Sequence, residues 1–293
     1  MFAAGDGVHG RELWVSDGTS AGTTLLEILP GAGSSDPWYL AAANGTLFFG
    51  ARDATHGFEP WTSDGTPAGT LLLKDIVPRS GDSVAAEFTN VNGTVFFSAD
   101  AGLWKTDGTT AGTVLVKDVL PGPGSGVILE TPPVGSVLVF QGDDGVSGSE
   151  PWASDGRAAN THLVADVGSP GGSDPDPESF TQSGSLLFFR ATTNATGDEL
   201  FAVPIAALMD SDLDGLDYAA ETAAGTNPFD ADTDGDGFSD FAEVVEMHTD
   251  PLDPNDRLRT RFRSPVRSGW SHLPRRCCWP PRGGARASAE AMG

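Results

Sequence analysis

ELWVSDGTSAGTTLLEILP from Glu12, EPWTSDGTPAGTLLLKDIVP from Glu59 and GLWKTDGTTAGTVLVKDVLP from Gly102 are three versions of one unit. Two weaker versions follow, EPWASDGRAANTHLVADVGSP from Glu150 and the partial DELFAVPI from Asp198. The anchors Trp14, Trp61, Trp104, Trp152 and Phe201 stand 47, 43, 48 and 49 residues apart, the short interval reflecting a contracted turn at Asp100 to Leu103. A fixed period of this size marks one supersecondary unit repeated. Within it the apolar pattern gives four short strands: TLFFGARD (46–53), EPWTSD (59–64), TLLLKDIV (70–77) and EFTNV (87–91). Turn-formers separate them. In Asp17-Gly18, Asp64-Gly65, Asp107-Gly108 and Asp155-Gly156 the carboxylate can accept from nearby backbone N–H groups, and glycine tolerates positive φ. Asn44-Gly45 and Asn92-Gly93 form a second turn before the pairs Phe48-Phe49 and Phe96-Phe97. Four antiparallel strands per period describe the blades of a β-propeller, whose stacked faces bury the repeated Trp and Phe.

The whole chain agrees with an all-β, turn-rich class. Its 293 residues are 39% hydrophobic and 20% charged, enough to bury a core, and 38 Gly with 21 Pro favour short strands over helical bundles. The formal charge of −24 argues against a nucleic-acid binder, since neutralising phosphates needs clustered Lys and Arg. No apolar run reaches the length of a membrane span, and the start MFAAGDGVHGRELWV shows no cationic stretch followed by an apolar one. Charge divides the sequence at about 209 and 256: net −17 before the first boundary, 15 acidic and no basic residues between them, nine Arg against Glu290 after them. Both cysteines, Cys277 and Cys278, lie in the basic part, leaving the preceding 256 residues without thiol chemistry, as suits an oxidising environment.

Residues 2–205, with E-L-W, S-D-G-T, G-T and L-L-K-D-I in order, resemble the bacterial ELWxxDGT repeat family. The resemblance implies a β-propeller in a secreted or surface protein and supplies no catalytic residues. The first two strand types occur five times and the last two four times, and Met1-Phe2 begins inside a strand, so about four blades plus an extra hairpin are expected. The surplus hairpin can close a four-bladed ring; a fragment of a larger ring is the preferred reading, with an amino end that looks truncated and an exposed edge.

Within the repeat, Asp17, Asp64, Asp107 and Asp155 recur at one turn and Asp75, Asp118 and Asp166 one strand later. Either set can face a cation, but turn chemistry explains the first more simply. Glu12, Glu59, Glu150 and Glu199 precede the anchors and read as rim or blade-contact residues, because catalysis needs carboxylates in unlike environments. His9 and His56 occupy equivalent turns; no histidine pair has metal-ligand spacing, and neither a G-x-S-x-G elbow nor a phosphate loop occurs. Trp38 and Tyr39 break the repeat and can offer a flat platform to a sugar, with packing the preferred alternative.

The sharpest chemistry lies in DSDLDGLDYAAE (210–221) and DTDGDGFSDFAE (232–243), both of which fit D-x-[DN]-x-[DN]-G-x5-E. Asp210, Asp212 and Asp214 hold positions 1, 3 and 5 of the first loop, Gly215 the sharp bend, Leu216 a backbone carbonyl and Glu221 a bidentate carboxylate. In the second loop these roles fall to Asp232, Asp234, Asp236, Gly237, Phe238 and Glu243; Asp240 at position 9, where the first loop has Tyr218, implies the tighter site. Alternate oxygens converge on one side of a curled loop, and Ca²⁺ accepts about six to eight hard oxygens. A solvated acidic linker explains neither the paired Gly nor the paired Glu. The loops start 22 residues apart and end in Thr226-Asn227-Pro228 and Thr249-Asp250-Pro251, which is similar to a bacterial thrombospondin type 3 repeat, with a dockerin-like pair as the nearest rival. That resemblance implies a calcium-stabilised spacer in an extracellular protein. One helical stretch, Ser239 to Met247, is expected after the second loop.

The expected organisation is therefore a propeller over 1–205, a calcium-binding segment over 206–256 and a disordered basic tail over 257–293, an out-of-frame extension or a basic interaction arm. The leading expectation is a non-enzymatic, secreted or cell-surface adhesion or scaffold protein with a protein or glycan ligand on the propeller face. The rivals are a propeller hydrolase or lyase acting on polysaccharide, and a carbohydrate-binding module.

Overall fold

The computed structural model describes residues 1–121, 126–129, 132–168, 175–193, 196–210 and 212–256. The basic tail, with both cysteines, and Ser211 lie outside the described residues. The strands form five antiparallel sheets, each in simple sequence order. The first has three strands, β1 (Phe2–Ala4), β2 (Glu12–Val15) and β3 (Thr24–Leu26). The next three have four each: β4 (Trp38–Ala43), β5 (Thr46–Ala51), β6 (Glu59–Ser63) and β7 (Leu71–Leu72); β8 (Ala86–Val91), β9 (Thr94–Ala99), β10 (Gly102–Thr106) and β11 (Val114–Asp118); β12 (Val127–Ile128), β13 (Leu138–Asp143), β14 (Ser149–Ser154) and β15 (Thr161–Leu163). The last again has three, β16 (Glu178–Ser183), β17 (Leu186–Thr193) and β18 (Gly197–Pro204). The chain is all-β and propeller-like, and the four strand types occur five, five, four and four times. Sheet boundaries fall one strand away from the sequence period, so the surplus strands are shared between two three-stranded end sheets.

Each sheet between two neighbours is apolar on both faces, which is why adjacent aromatics replace the alternation of a one-sided sheet. Phe48 packs with Phe88, Val95 and Phe97 of the third sheet, while its neighbour Phe49 packs with Leu13 and Leu26 of the first. Phe96 and Phe97 divide the same way. Across each sheet an aromatic faces the anchor: Phe2 opposite Trp14, Phe49 opposite Trp61, Phe97 opposite Trp104, Phe140 opposite Trp152, Phe189 opposite Phe201. The lysine of L-L-K-D bridges sheets. Lys74 Nζ donates to the Thr113 carbonyl and lies over Trp104; Lys117 Nζ donates to the Thr161 carbonyl at 2.6 Å and lies 5.3 Å from the Trp152 ring centroid.

The Asp-Gly turns behave as their chemistry requires. Asp17 Oδ1 accepts from the Thr19 N–H and hydroxyl, both at 2.8 Å, and Asp64 and Asp107 repeat this at Thr66 and Thr109. Asn44-Gly45 and Asn92-Gly93 have positive φ at both residues. Of the two readings for the glutamates before the anchors, rim or blade contact, burial favours the second: Glu12, Glu59 and Glu150 are fully buried. Their carboxylates accept from backbone N–H groups of the loop after the third strand type, Ile28 and Ser35, Ile76 and Val77, Val167 and Gly168. Glu199, where the chain turns away instead, is exposed. Beyond β18 a 3₁₀ turn, Ile205–Leu208, buries Leu208 against Val139, Phe180 and Phe189, and ties the acidic segment to the fourth and fifth sheets.

Candidate metal centre

Both acidic loops fold to one hydrogen-bond pattern. The position 6 glycines, Gly215 and Gly237 at φ 111° and 98°, donate N–H to the position 1 carboxylates of Asp210 and Asp232 at 3.1 and 2.8 Å. Asp214 N–H donates to Asp212 and Asp236 N–H to Asp234; Leu216 N–H donates to Asp214 and Phe238 N–H to Asp236. Leu216 is buried and Phe238 exposed. The bend turns the carboxylates of Asp210, Asp212 and Asp214 toward one another, and likewise those of Asp232, Asp234 and Asp236, each set with oxygens within 4.8 Å.

A helix leaves each loop. The second leads into the helical turn Ala242–Met247, where the Ala242 N–H donates to Ser239 Oγ at 3.2 Å. The first, α1 (Tyr218–Ala224), corrects the expectation of a single helix: Asp217 Oδ1 accepts the Ala220 N–H as N-cap, and Gly225 at φ 83° ends it. These helices carry Glu221 and Glu243 into the interior, where each is 1% exposed. One oxygen of each is used: Thr226 Oγ1 donates to Glu221 Oε1 at 3.2 Å and Thr249 Oγ1 to Glu243 Oε1 at 3.0 Å. Among the described residues Oε2 of both has no partner, nor has Asp210 Oδ1, Asp212 Oδ2 or Asp234 Oδ2, although all five atoms are buried.

Asp240, expected at position 9 of the second loop, has neighbours in both loops. Its fully buried carboxylate accepts from the Thr233 N–H and hydroxyl at 3.1 and 2.7 Å, and groups with Asp214 and Glu221 of the first loop, all within 4.8 Å. Its charge also acts on Asp234 and Glu243 of the second loop, so Asp240 stands between the two clusters. Asp214 joins the loops again by accepting the Phe241 N–H at 2.7 Å.

Electrostatics follow the crowding. Burial, then the charges of Asp212, Asp214 and Asp240, pushes the Glu221 carboxyl up to about 7. Burial and neighbouring carboxylates also raise Asp212, Asp234 and Glu243. Buried anionic oxygens without donors are costly. The available donors are hard carboxylate oxygens with no nitrogen or sulfur among them, the set that suits Ca²⁺ and disfavours softer transition metals. Among the described residues, no group of three carboxylates drawn from the propeller converges in this way.

Sequence reasoning missed three further residues at this centre. Asn160 Oδ1 accepts the Ala219 N–H at 2.8 Å, and Asn160 Nδ2 donates to Asp155 and Asp217. His162 is buried and stacks on Tyr218 at 4.3 Å between centroids and 12° between planes. Arg157 lies 3.6 Å from Asp217. The available signal was their departure from the repeat, which has Thr, Gly and an aliphatic or Thr at these three places.

The profile of the bacterial TSP3 repeat matches residues 210–231 and 232–254. The curated proteins contain no match. Among solved structures, puromycin hydrolase is similar over 64% of this chain and 29% of its own, at 14% identity and a TM-score of 0.43. TolB from Acinetobacter baumannii is similar over 66% and 48%, at 11% identity and 0.37, and the nidogen/laminin complex over 65% and 69%, at 13% and 0.36. This chain thus spans under a third of the hydrolase and about half of TolB. These likenesses concern general fold and carry no functional argument. The matched segment, residues 210–254, consists of two bacterial TSP3 repeats, a calcium-binding type of structural unit.

Proposed function

We propose that the chain is a non-enzymatic, extracellular or cell-surface scaffold in which Ca²⁺ sets the acidic loops and the propeller presents a binding face to a protein or glycan. The propeller would be of the ELWxxDGT kind, a reading that rests on the repeated tryptophan, Asp-Gly-Thr and Gly-Thr elements. One observation carries the calcium role: two loops with the same hydrogen-bond scheme each gather three aspartates within 4.8 Å, and each leads into a helix whose glutamate is 1% exposed, with one oxygen that has no partner among the described residues. Asp210, Asp212, Asp214 and Glu221, with Asp240, would hold one ion; Asp232, Asp234, Asp236 and Glu243 the other; Leu216 and Phe238 would add backbone carbonyls. Bound Ca²⁺ would neutralise the repulsion and fix the curl of each loop. Calorimetric titration of the full chain with CaCl₂ should give about two sites in the roughly 10⁻⁴ to 10⁻³ M range of extracellular modules, with Asp236→Ala removing one. A flat titration would refute the proposal.

A glycan is favoured as ligand by one observation. Trp38 and Tyr39, for which packing was the preferred sequence reading, are 53% and 48% exposed, with the Arg11 guanidinium 5.1 Å from the Trp38 ring centroid. An aromatic face beside a cation suits an acidic sugar. Glycan-array binding that survives Trp38→Ala would refute this assignment.

A further inference from the structure

We propose that the turn Asp155–His162 of the fourth sheet caps the calcium array, with Asn160 as the residue that positions the first loop. The inference rests on the calcium reading and goes beyond it. Positions 9 and 10 of each loop face the unit before it. In the second loop these are Asp240, whose carboxylate lies with Asp214 and Glu221, and Phe241, whose N–H donates to Asp214 Oδ2 at 2.7 Å. In the first loop they are Tyr218 and Ala219, and no calcium loop precedes them. The fourth sheet takes that place: Tyr218 stacks on His162, and the Ala219 N–H donates to Asn160 Oδ1 at 2.8 Å. A side-chain amide thus occupies the role that a carboxylate fills between the loops. Terminal units of a stacked array need such a cap because their outer face has no neighbour.

This turn is altered in the residues that make the contact. The other copies have Thr19, Thr66 and Thr109 where this one has Arg157, and Gly22, Gly69 and Gly112 where it has Asn160. A Cβ at any of those glycines would stand 2.1 Å from the carboxylate of Asp17, Asp64 or Asp107. Asn160 is accommodated because Asp155 binds differently. Its carboxylate accepts from the Arg157 N–H and Nε and from Asn160 Nδ2, and not from a threonine hydroxyl. The counterparts of His162 are Thr24, Leu71 and Val114, all exposed. Only in the fourth sheet is this position covered, and what covers it is the loop-1 residue Tyr218. Asn160 Nδ2 and Arg157 also reach Asp217, the cap of α1, whose helix carries Glu221. Docking therefore fixes the start of the helix that delivers the position 12 carboxylate.

The test reverts the turn toward its own consensus in the full chain. Asn160→Gly restores the residue of the other three copies and removes the amide's bonds to Ala219, Asp155 and Asp217. Calcium affinity of the first loop is read by calorimetry in a Glu243→Gln background, and amide exchange of residues 155–163 and 217–224 with and without Ca²⁺. Loss of the amide's bonds to Ala219 and Asp217 should weaken the first site about fivefold to tenfold and abolish calcium-dependent protection of 155–163. Equal affinities and equal protection in a parent that binds two ions would overturn the cap while sparing the calcium reading. A parent that binds no Ca²⁺ refutes that reading instead. The cap is then decided in chelator by the Ala219 amide, with faster exchange in Asn160→Gly supporting it and unchanged exchange overturning it. If Asn160→Gly misfolds, His162→Leu, which removes the ring under Tyr218, gives the same readouts.

Discussion

Replacing Glu221 by Gln should move the metal-free and the calcium-loaded protein in opposite directions. The side chain is 1% exposed, and its carboxylate lies within 4.8 Å of those of Asp214 and Asp240. At that distance and an effective dielectric of about 20, each like-charge pair costs about 3 kcal/mol. Glutamine removes two such pairs and keeps an acceptor for the Thr226 hydroxyl. Even if solvent and rearrangement screen two thirds of the sum, about 2 kcal/mol of relief remains. At about 2–4 °C per kcal/mol for a chain of this size, the melting temperature in EDTA should rise by about 6 °C. With saturating Ca²⁺ the order should invert, since the variant lacks a charged donor and its first site should weaken by at least about tenfold. Differential scanning calorimetry in EDTA and in Ca²⁺ reads both effects. A variant that melts lower in EDTA and keeps its calcium affinity would refute the reasoning.

Three further outcomes follow from the propeller. Lys117→Met should cost about 1–2 kcal/mol in urea unfolding, because it removes the bond to the Thr161 carbonyl and the contact over Trp152 between sheets. Glu59→Ala should cost about 2 kcal/mol by stranding the half-buried N–H groups of Ile76 and Val77, whereas Glu199→Ala, at an exposed site, should be silent in the same assay. Burial pushes the Glu150 carboxyl from 4.5 up to about 7 and the His162 imidazole from 6.5 down to about 4. Folded Glu150 keeps a proton the unfolded chain has released, so its contribution is full below pH 4.5 and lost as pH rises through about 7. Folded His162 refuses a proton the unfolded chain takes up, so its contribution is present above pH 6.5 and lost as pH falls through about 4. Each is worth about 3 kcal/mol at most. Stability measured from pH 4.5 to 6.5 should therefore rise more steeply with pH in Glu150→Gln and less steeply in His162→Leu than in the parent; parallel profiles would contradict both assignments.

The strand types, the two turns and the acidic loops were legible because each depends on local chemistry: paired aromatics between two sheets, Asp-Gly and Asn-Gly at positive φ, and carboxylates at alternate positions. The partition into sheets was not, since it depends on which strand of the period pairs first. For Glu12, Glu59 and Glu150 the choice between rim and blade contact stayed open, because nothing local shows the backbone N–H groups that hold them inside. The α1 helix was hidden by the short run YAAETAA, although Asp217 before it and Gly225 after it are a recognisable pair of caps. Asp240 and Asn160 act on the unit before their own or after it, and position within a single loop or turn says nothing of such contacts.

Anomalous diffraction from crystals grown in millimolar Ca²⁺ tests the central claim most directly. The account predicts two ion peaks, one among Asp210, Asp212, Asp214, Glu221 and Asp240 and one among Asp232, Asp234, Asp236 and Glu243. Carboxylate clusters in the same places with no peak in either loop would contradict it.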